Sequence, residues 1–257
     1  MSEQLFWVMV LDSRRTSWAL SDPVTSIDDI GRKFGLISYY KGGAVIRMME
    51  SFLGLPTLNK GLTSYLRDLA FSAAKEEDLF IHLEAAGLEA GSWPQGEAVD
   101  LTEVMQSWSQ QAGLPLVTVK RAGAGLEVSQ AWYQNTGISV GEQLWSIPLT
   151  IADLAAEDTD WEDTRPAAWL LQERLTIAAA PQVPLLNKKA MGYYRVTYED
   201  SIWRDIAAVL AADHTRVHPH NRAQVGHSGR QKSSKQRFIE ISQSREREIF
   251  SNLRLKL

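Results

Sequence analysis

The chain has 257 residues, 44% of them hydrophobic and 23% charged, which is ordinary for a globular protein and ample for a buried core. It contains no cysteine, so disulfides and thiolate metal sites are excluded and the redox compartment stays open. The net charge of −4 hides an asymmetry, because residues 226–257 hold eight Lys/Arg against three Glu, a surplus of +5 over a body at −9, and that acidic body argues against nucleic acid as the main partner.

Leu5 to Leu11 is apolar but only seven residues long, with Glu3 in front and no small-residue cleavage site, so no signal peptide is expected. No stretch approaches the roughly 20 apolar residues of a membrane-spanning helix. From Ala44 to Leu69 the period is helical: Val45, Met48, Met49 and Phe52 share one face, and after Gly54 and Pro56 a second helix runs through Leu58, Leu62, Tyr65, Leu66 and Leu69. Lys75–Ala86 reads as a third helix stopped by Gly87, followed by a glycine-rich loop containing Trp93-Pro94. A fourth starts at Asp100, which can cap the free amides with Glu103 in the reciprocal position, and runs through Trp108 to Gly113.

After Pro115 the period changes from 3.6 to 2. Val117 and Val119 alternate with polar neighbours, Gly123-Ala124-Gly125 makes a turn, and Leu126, Val128 and Trp132, then Trp145, Ile147, Leu149 and Ile151, alternate again. Segments 169–171, 175–177, 183–185 and 193–198 supply further strands, a density that predicts a β-sandwich, with the acidic stretch Ala155 to Asp163 as an exposed loop. Helical spacing returns at Ile202, Ile206, Val209 and Leu210 and then fails, so the polar tail from Gly226 is expected to be disordered or at most marginally helical.

The segment Ile37-Ser38-Tyr39-Tyr40-Lys41-Gly42-Gly43-Ala44-Val45-Ile46-Arg47-Met48-Met49-Glu50 resembles the catalytic-tyrosine helix of the aminopeptidase N family of zinc metallopeptidases. The likeness continues in order. Lys60-Gly61-Leu62, Gln111-Ala112-Gly113-Leu114-Pro115-Leu116-Val117, Trp145-Ser146-Ile147-Pro148-Leu149-Thr150, Gly192-Tyr193-Tyr194-Arg195-Val196-Thr197-Tyr198 and Asn221-Arg222-Ala223-Gln224 are each similar to family segments. The resemblance implies an α+β multidomain fold: residues 1–113 as the C-terminal helical part of a thermolysin-like catalytic domain, 114–199 as a small β-sandwich, 200–225 as the start of a C-terminal helical domain, and 226–257 as a basic tail unlike the family.

By the same resemblance Tyr39, two residues before Lys41, is the catalytic tyrosine that stabilises the transition-state oxyanion. In such an enzyme zinc lowers the pKa of its bound water to about 7, a peptide is the substrate, and a neutral phenol donates to the oxyanion. The family's H-E-x-x-H helix and its Gly-x-Met-Glu-Asn strand do not occur here. Both ends are therefore expected to be truncated or altered relative to the family, no metal ligand is assigned, and the chain alone is expected to be inactive and to expose apolar surface on the helices from Ala44 to Leu69. The alternative is a non-catalytic module, derived from the same family, that binds a partner protein.

The other candidates carry less. Lys41 reads as a solvated surface lysine, although a cation near a helix N-terminus opposes the macrodipole. Gly42 and Gly43 would permit close helix approach. His82 reads as a surface residue, and His218-x-His220 offers two of the ligands that a zinc site needs, without a helix-borne Glu and a third. The nine tryptophans read as core packing.

Overall fold

The computed structural model describes residues 2–92, 100–134, 137–138 and 143–233. The fold is α+β. Six helices come first: α1 (Ser2–Asp12), α2 (Ile27–Lys33), α3 (Gly42–Leu53), α4 (Leu55–Asp68), α5 (Glu76–Ala90) and α6 (Leu101–Ser109). Nine strands follow, namely β1 (Pro115–Ala122), β2 (Gly125–Gln134), β3 (Gly137–Ile138), β4 (Ile147–Leu149), β5 (Ile151–Asp153), β6 (Ala168–Leu170), β7 (Arg174–Ile177), β8 (Pro184–Leu186) and β9 (Arg195–Tyr198). Helices α7 (Asp200–Ala212) and α8 (Pro219–Ser233) close the described chain.

The helical apolar period works as its spacing requires. Val45, Met48, Met49 and Phe52 of α3 are all buried, and each such side chain stabilises the fold by roughly 1.5–3 kcal/mol. Gly54, at φ 81°, breaks the chain between α3 and α4, and Pro56 sits in the first turn of α4. Helix α4 lies against α5 at Gly61, where an added Cβ would stand 2.6 Å from Leu83 Cδ2 and 2.9 Å from its Cα. The close helix approach is thus at Gly61, whereas a Cβ on Gly43 would meet nothing within 4 Å and one on Gly42 only Leu20 at 4.0 Å.

Three helix ends depart from the sequence reading. Helix α5 runs through Gly87, which is buried in the middle of its packed face, and stops at Gly91 in the left-handed conformation. Asp100 does cap α6, accepting from the Glu103 amide at 3.0 Å, but the helix ends at Ser109 rather than continuing to Gly113. Helix α8 begins at Pro219 and extends to Ser233 across a stretch read as marginal. Proline at the first helical position loses no intrahelical hydrogen bond and presets φ. Trp93-Pro94 and the tail beyond Ser233 lie outside the described residues.

The strands fall where the alternation put them. β1 pairs with β2 on one edge, antiparallel from Pro115↔Trp132 to Ala122↔Gly125, and β9 pairs parallel to β1 from Leu116↔Arg195. β7 and β3 both pair with β2, at Leu126–Ser129 and Tyr133–Gln134, to complete a five-stranded sheet. Two short antiparallel ladders, β4 with β6 and β5 with β8, contribute Ile147, Leu149, Leu170 and Leu185 to the same core as Val117, Val119, Leu126 and Val128. Gln130, buried on β2, ties the layers together: its amide donates to Trp145 O at 2.8 Å and Gln172 O at 3.0 Å and accepts from Trp145 N at 2.9 Å. Trp108, Trp145, Trp169 and Trp203 are core residues as expected, but Trp7 on α1 is half exposed.

Candidate active-site segment

Tyr39 lies on a π-helical turn, Ile37–Lys41, that runs directly into α3. Such widened turns are uncommon and are found frequently at functional sites. Tyr39 is 63% exposed as a residue and its ring meets Phe34 edge-on at 5.9 Å between centroids, while Tyr40 is at the margin of exposure. Ser38 donates its hydroxyl back to Lys33 O, and Lys33 pairs with Asp22 at 3.0 Å, which ties the turn to the segment before it.

Lys41 is not a surface lysine. Its side chain is fully buried, and its ammonium donates to Asp12 Oδ2 at 3.1 Å, Gln111 O at 2.9 Å and Gly113 O at 3.0 Å. Three donors thus meet three acceptors. Asp12, the last residue of α1 and equally buried, also accepts from the Tyr193 hydroxyl at 3.1 Å, the Gly113 amide at 3.0 Å and the Ser17 hydroxyl. Burial lowers the Lys41 pKa against the opposing pull of Asp12, and burial followed by the Asp12 charge raises that of Tyr193 well above its usual value. Gly113 is required here for two reasons: its φ is 86°, and a Cβ would stand 2.3 Å from the Trp132 indole nitrogen.

A second junction joins α3 to α8. Asn187, Lys189 and Ala190 all have positive φ. Arg47 of α3 donates to the carbonyls of Lys189 and Ala190 at 3.3 Å each, and Asn221 of α8 accepts from Lys189 N at 2.7 Å while donating to Asn187 O at 2.8 Å. Asn187 in turn accepts from Gly192 N at 2.8 Å, which fixes the start of the Tyr193-Tyr194-Arg195 run.

Residues 1–108 match the Peptidase family M1 domain. The chain is 33% identical over 233 residues to a membrane alanyl aminopeptidase of Manduca sexta, covering 87% of this chain and 23% of that protein. It is 34% identical over 203 residues to an aminopeptidase N of Plutella xylostella, covering 75% and 21%, and 30% identical over 233 residues to human aminopeptidase N, covering 86% and 23%. The chain belongs to the aminopeptidase N family. It spans about a quarter of the length of the curated relatives it matches.

Four of the six segments that carry the aminopeptidase N resemblance meet at these two junctions. Lys41, the Gln111–Gly113 turn and Tyr193 come from three of them and converge on Asp12, while Arg47 and Asn221 come from the first and the last and converge on the turn at Asn187. Sequence reading missed Asp12 altogether. The only signal was indirect, a lysine placed where the helix dipole disfavours it.

The described residues do not fit the zinc ion that the aminopeptidase N family implies. Among them no group of three or more His, Cys, Asp or Glu side chains is arranged to hold a metal. His218 and His220 do stand together, with ring centroids 5.0 Å apart, but His218 Nδ1 accepts the His220 amide and His220 Nδ1 faces Lys189 O at 3.2 Å. Burial first, and then the charges of His220 and Lys189 at His218 and of Arg47 and Lys189 at His220, lower the two imidazole pKa values, and the same cationic surroundings oppose a bound cation. His82 is not a free surface residue either: it is tucked between α4 and α5, 3.0 Å from the Ser64 hydroxyl.

Proposed function

We propose that this chain is a part of a metallo-aminopeptidase that releases N-terminal amino acids from peptides, and that Tyr39 is its hydrogen-bond donor to the oxyanion formed when the peptide carbonyl is attacked. The observation that carries the reading is the presentation of Tyr39: an exposed phenol on a π-turn, aimed away from a body that fixes the same turn two residues later through Lys41. A preorganised donor of this kind acts on the charge that develops in the transition state and needs no reorganisation when the reaction occurs.

In this reading residues 1–113 belong to the catalytic domain, 114–199 form a β-sandwich domain, and 200–225 open a helical domain. The change from helix to strand at Pro115 and back to helix at Asp200 supports that division. Water activation lies outside what these side chains supply, so the 257 residues alone are inactive. A second reading, a non-catalytic protein-binding module of the same family, is favoured by the set of exposed apolar residues on and around α2, including Ile27, Ile30, Phe34 and Leu36.

The test is Tyr39→Phe in a protein that carries this segment together with an H-E-x-x-H helix. Losing one oxyanion donor lowers kcat about 100- to 1000-fold with KM little changed. An unaltered kcat rejects the role of Tyr39.

A further inference from the structure

We propose that Asp12 and Lys41 are positioning residues for Tyr39, a buried ion pair that sets the direction in which the π-turn presents the phenol. The inference rests on the reading of Tyr39 as an oxyanion donor. Residues two apart on a helical turn project to roughly opposite sides of its axis, so a side chain fixed at Lys41 fixes the direction of Tyr39. A π-turn is a poor structure on its own, because its hydrogen-bond geometry is seldom adopted without an outside hold. The hold here is directional: all three ammonium donors of Lys41 are engaged, by a carboxylate on α1 and by two carbonyls of the turn after α6.

An apolar side chain would occupy the same space without the cost of burying two charges, and substitutions of that sort in other proteins are often neutral or stabilising. Apolar packing has no directional preference, however, and would leave the turn free to rotate by a fraction of its pitch. Tyr193 and Gly113 lock the carboxylate in turn, with the Tyr193 hydroxyl on Oδ2 and the Gly113 amide on Oδ1. The orientation of the phenol is thereby referred to the end of α1, the turn after α6 and the segment leading into β9, three places far apart in the sequence.

The experiment uses the full 257-residue chain with a fluorinated tyrosine at position 39, read by fluorine NMR. Asp12→Asn, Lys41→Met and Tyr193→Phe are compared with the parent and with Val128→Ala, a cavity in the β-sheet core away from the turn. Tyr193→Phe removes a single hydroxyl from a packed ring and keeps the fold. The fluorine line moves or broadens in Asp12→Asn and Lys41→Met and, less, in Tyr193→Phe, and amide exchange over 38–41 accelerates about tenfold, while Val128→Ala leaves the line in place. A parental line in folded Asp12→Asn and Tyr193→Phe chains overturns the proposal, as does an equal displacement in Val128→Ala. Should Tyr39→Phe leave kcat unaltered, the catalytic reading falls while the fluorine line still decides the anchoring.

Discussion

His218 and His220 flank Pro219 at the start of α8, with Trp161 5.9 Å from the first ring and Lys189, Arg47, Arg222 and Glu162 as the charged groups around them. Both imidazoles have pKa values lowered from the usual 6.5, by burial first and by cationic neighbours second. The sign follows from proton uptake. As pH falls through 6.5 the unfolded chain binds protons that the folded chain still refuses, so stability is lost between 6.5 and the lower folded-state pKa values and is flat above that window. Thermal unfolding followed by circular dichroism is expected to give a midpoint that falls from about pH 7.5 to about pH 5, with a shallower fall in the His218→Gln/His220→Gln chain. An equal fall in both chains assigns the effect elsewhere. Lys41 carries the opposite lesson about legibility. Its burial could not be read from spacing, because its partners Asp12, Gln111 and Gly113 become neighbours only through the tertiary fold.

Elements were legible wherever their period was long and their caps were local. The α3–α4 pair follows from one apolar face on each side of Gly54-Leu55-Pro56, and α6 from the Asp100 cap. The β1–β2 hairpin follows from alternation around Gly123-Ala124-Gly125. Helix ends at glycine were not legible, since Gly87 and Gly91 are alike in sequence and only packing shows that the first sits inside a buried face and the second at a left-handed cap. The part of helix α8 beyond Gly226 was read as at most marginal because its polar sequence carries almost no periodic apolar signal. The glycines of α3 and α4 make a test of packing at this scale. Gly61→Ala drives a Cβ to 2.9 Å from the Leu83 backbone and is expected to cost about 1–3 kcal/mol in denaturant unfolding. Gly43→Ala, with open space around it, is expected to be neutral or to stabilise by up to about 1 kcal/mol. Equal midpoints for the two variants contradict the close crossing of α4 and α5.

At the scale of the whole molecule, apolar surface is exposed on the helices from Ala44 to Leu69, as expected in part, and also on the segment before them. Helices α3 and α4 bury most of their apolar faces and leave Ile46, Leu55 and Leu66 outside, whereas Val24, Ile27, Ile30, Phe34, Leu36 and Tyr39 form a longer exposed run just before them. The phenol therefore sits at the edge of an apolar surface, with the buried Asp12–Lys41 pair behind it. Family membership was legible from short segments in a fixed order, several of which interlock the helical and sheet parts. The metal chemistry entered only through the resemblance, since the H-E-x-x-H and Gly-x-Met-Glu-Asn motifs that carry it do not occur in the sequence. In the proposed function this chain contributes the phenol of an aminopeptidase and its supporting frame, but not the metal-activated water. The most direct test of that function is hydrolysis of an alanyl-arylamide by the purified chain with zinc added in excess, compared with the Tyr39→Phe chain. The expected result is no turnover above the buffer rate in either; zinc-dependent turnover by the parent chain would show that these residues hold and use the metal themselves.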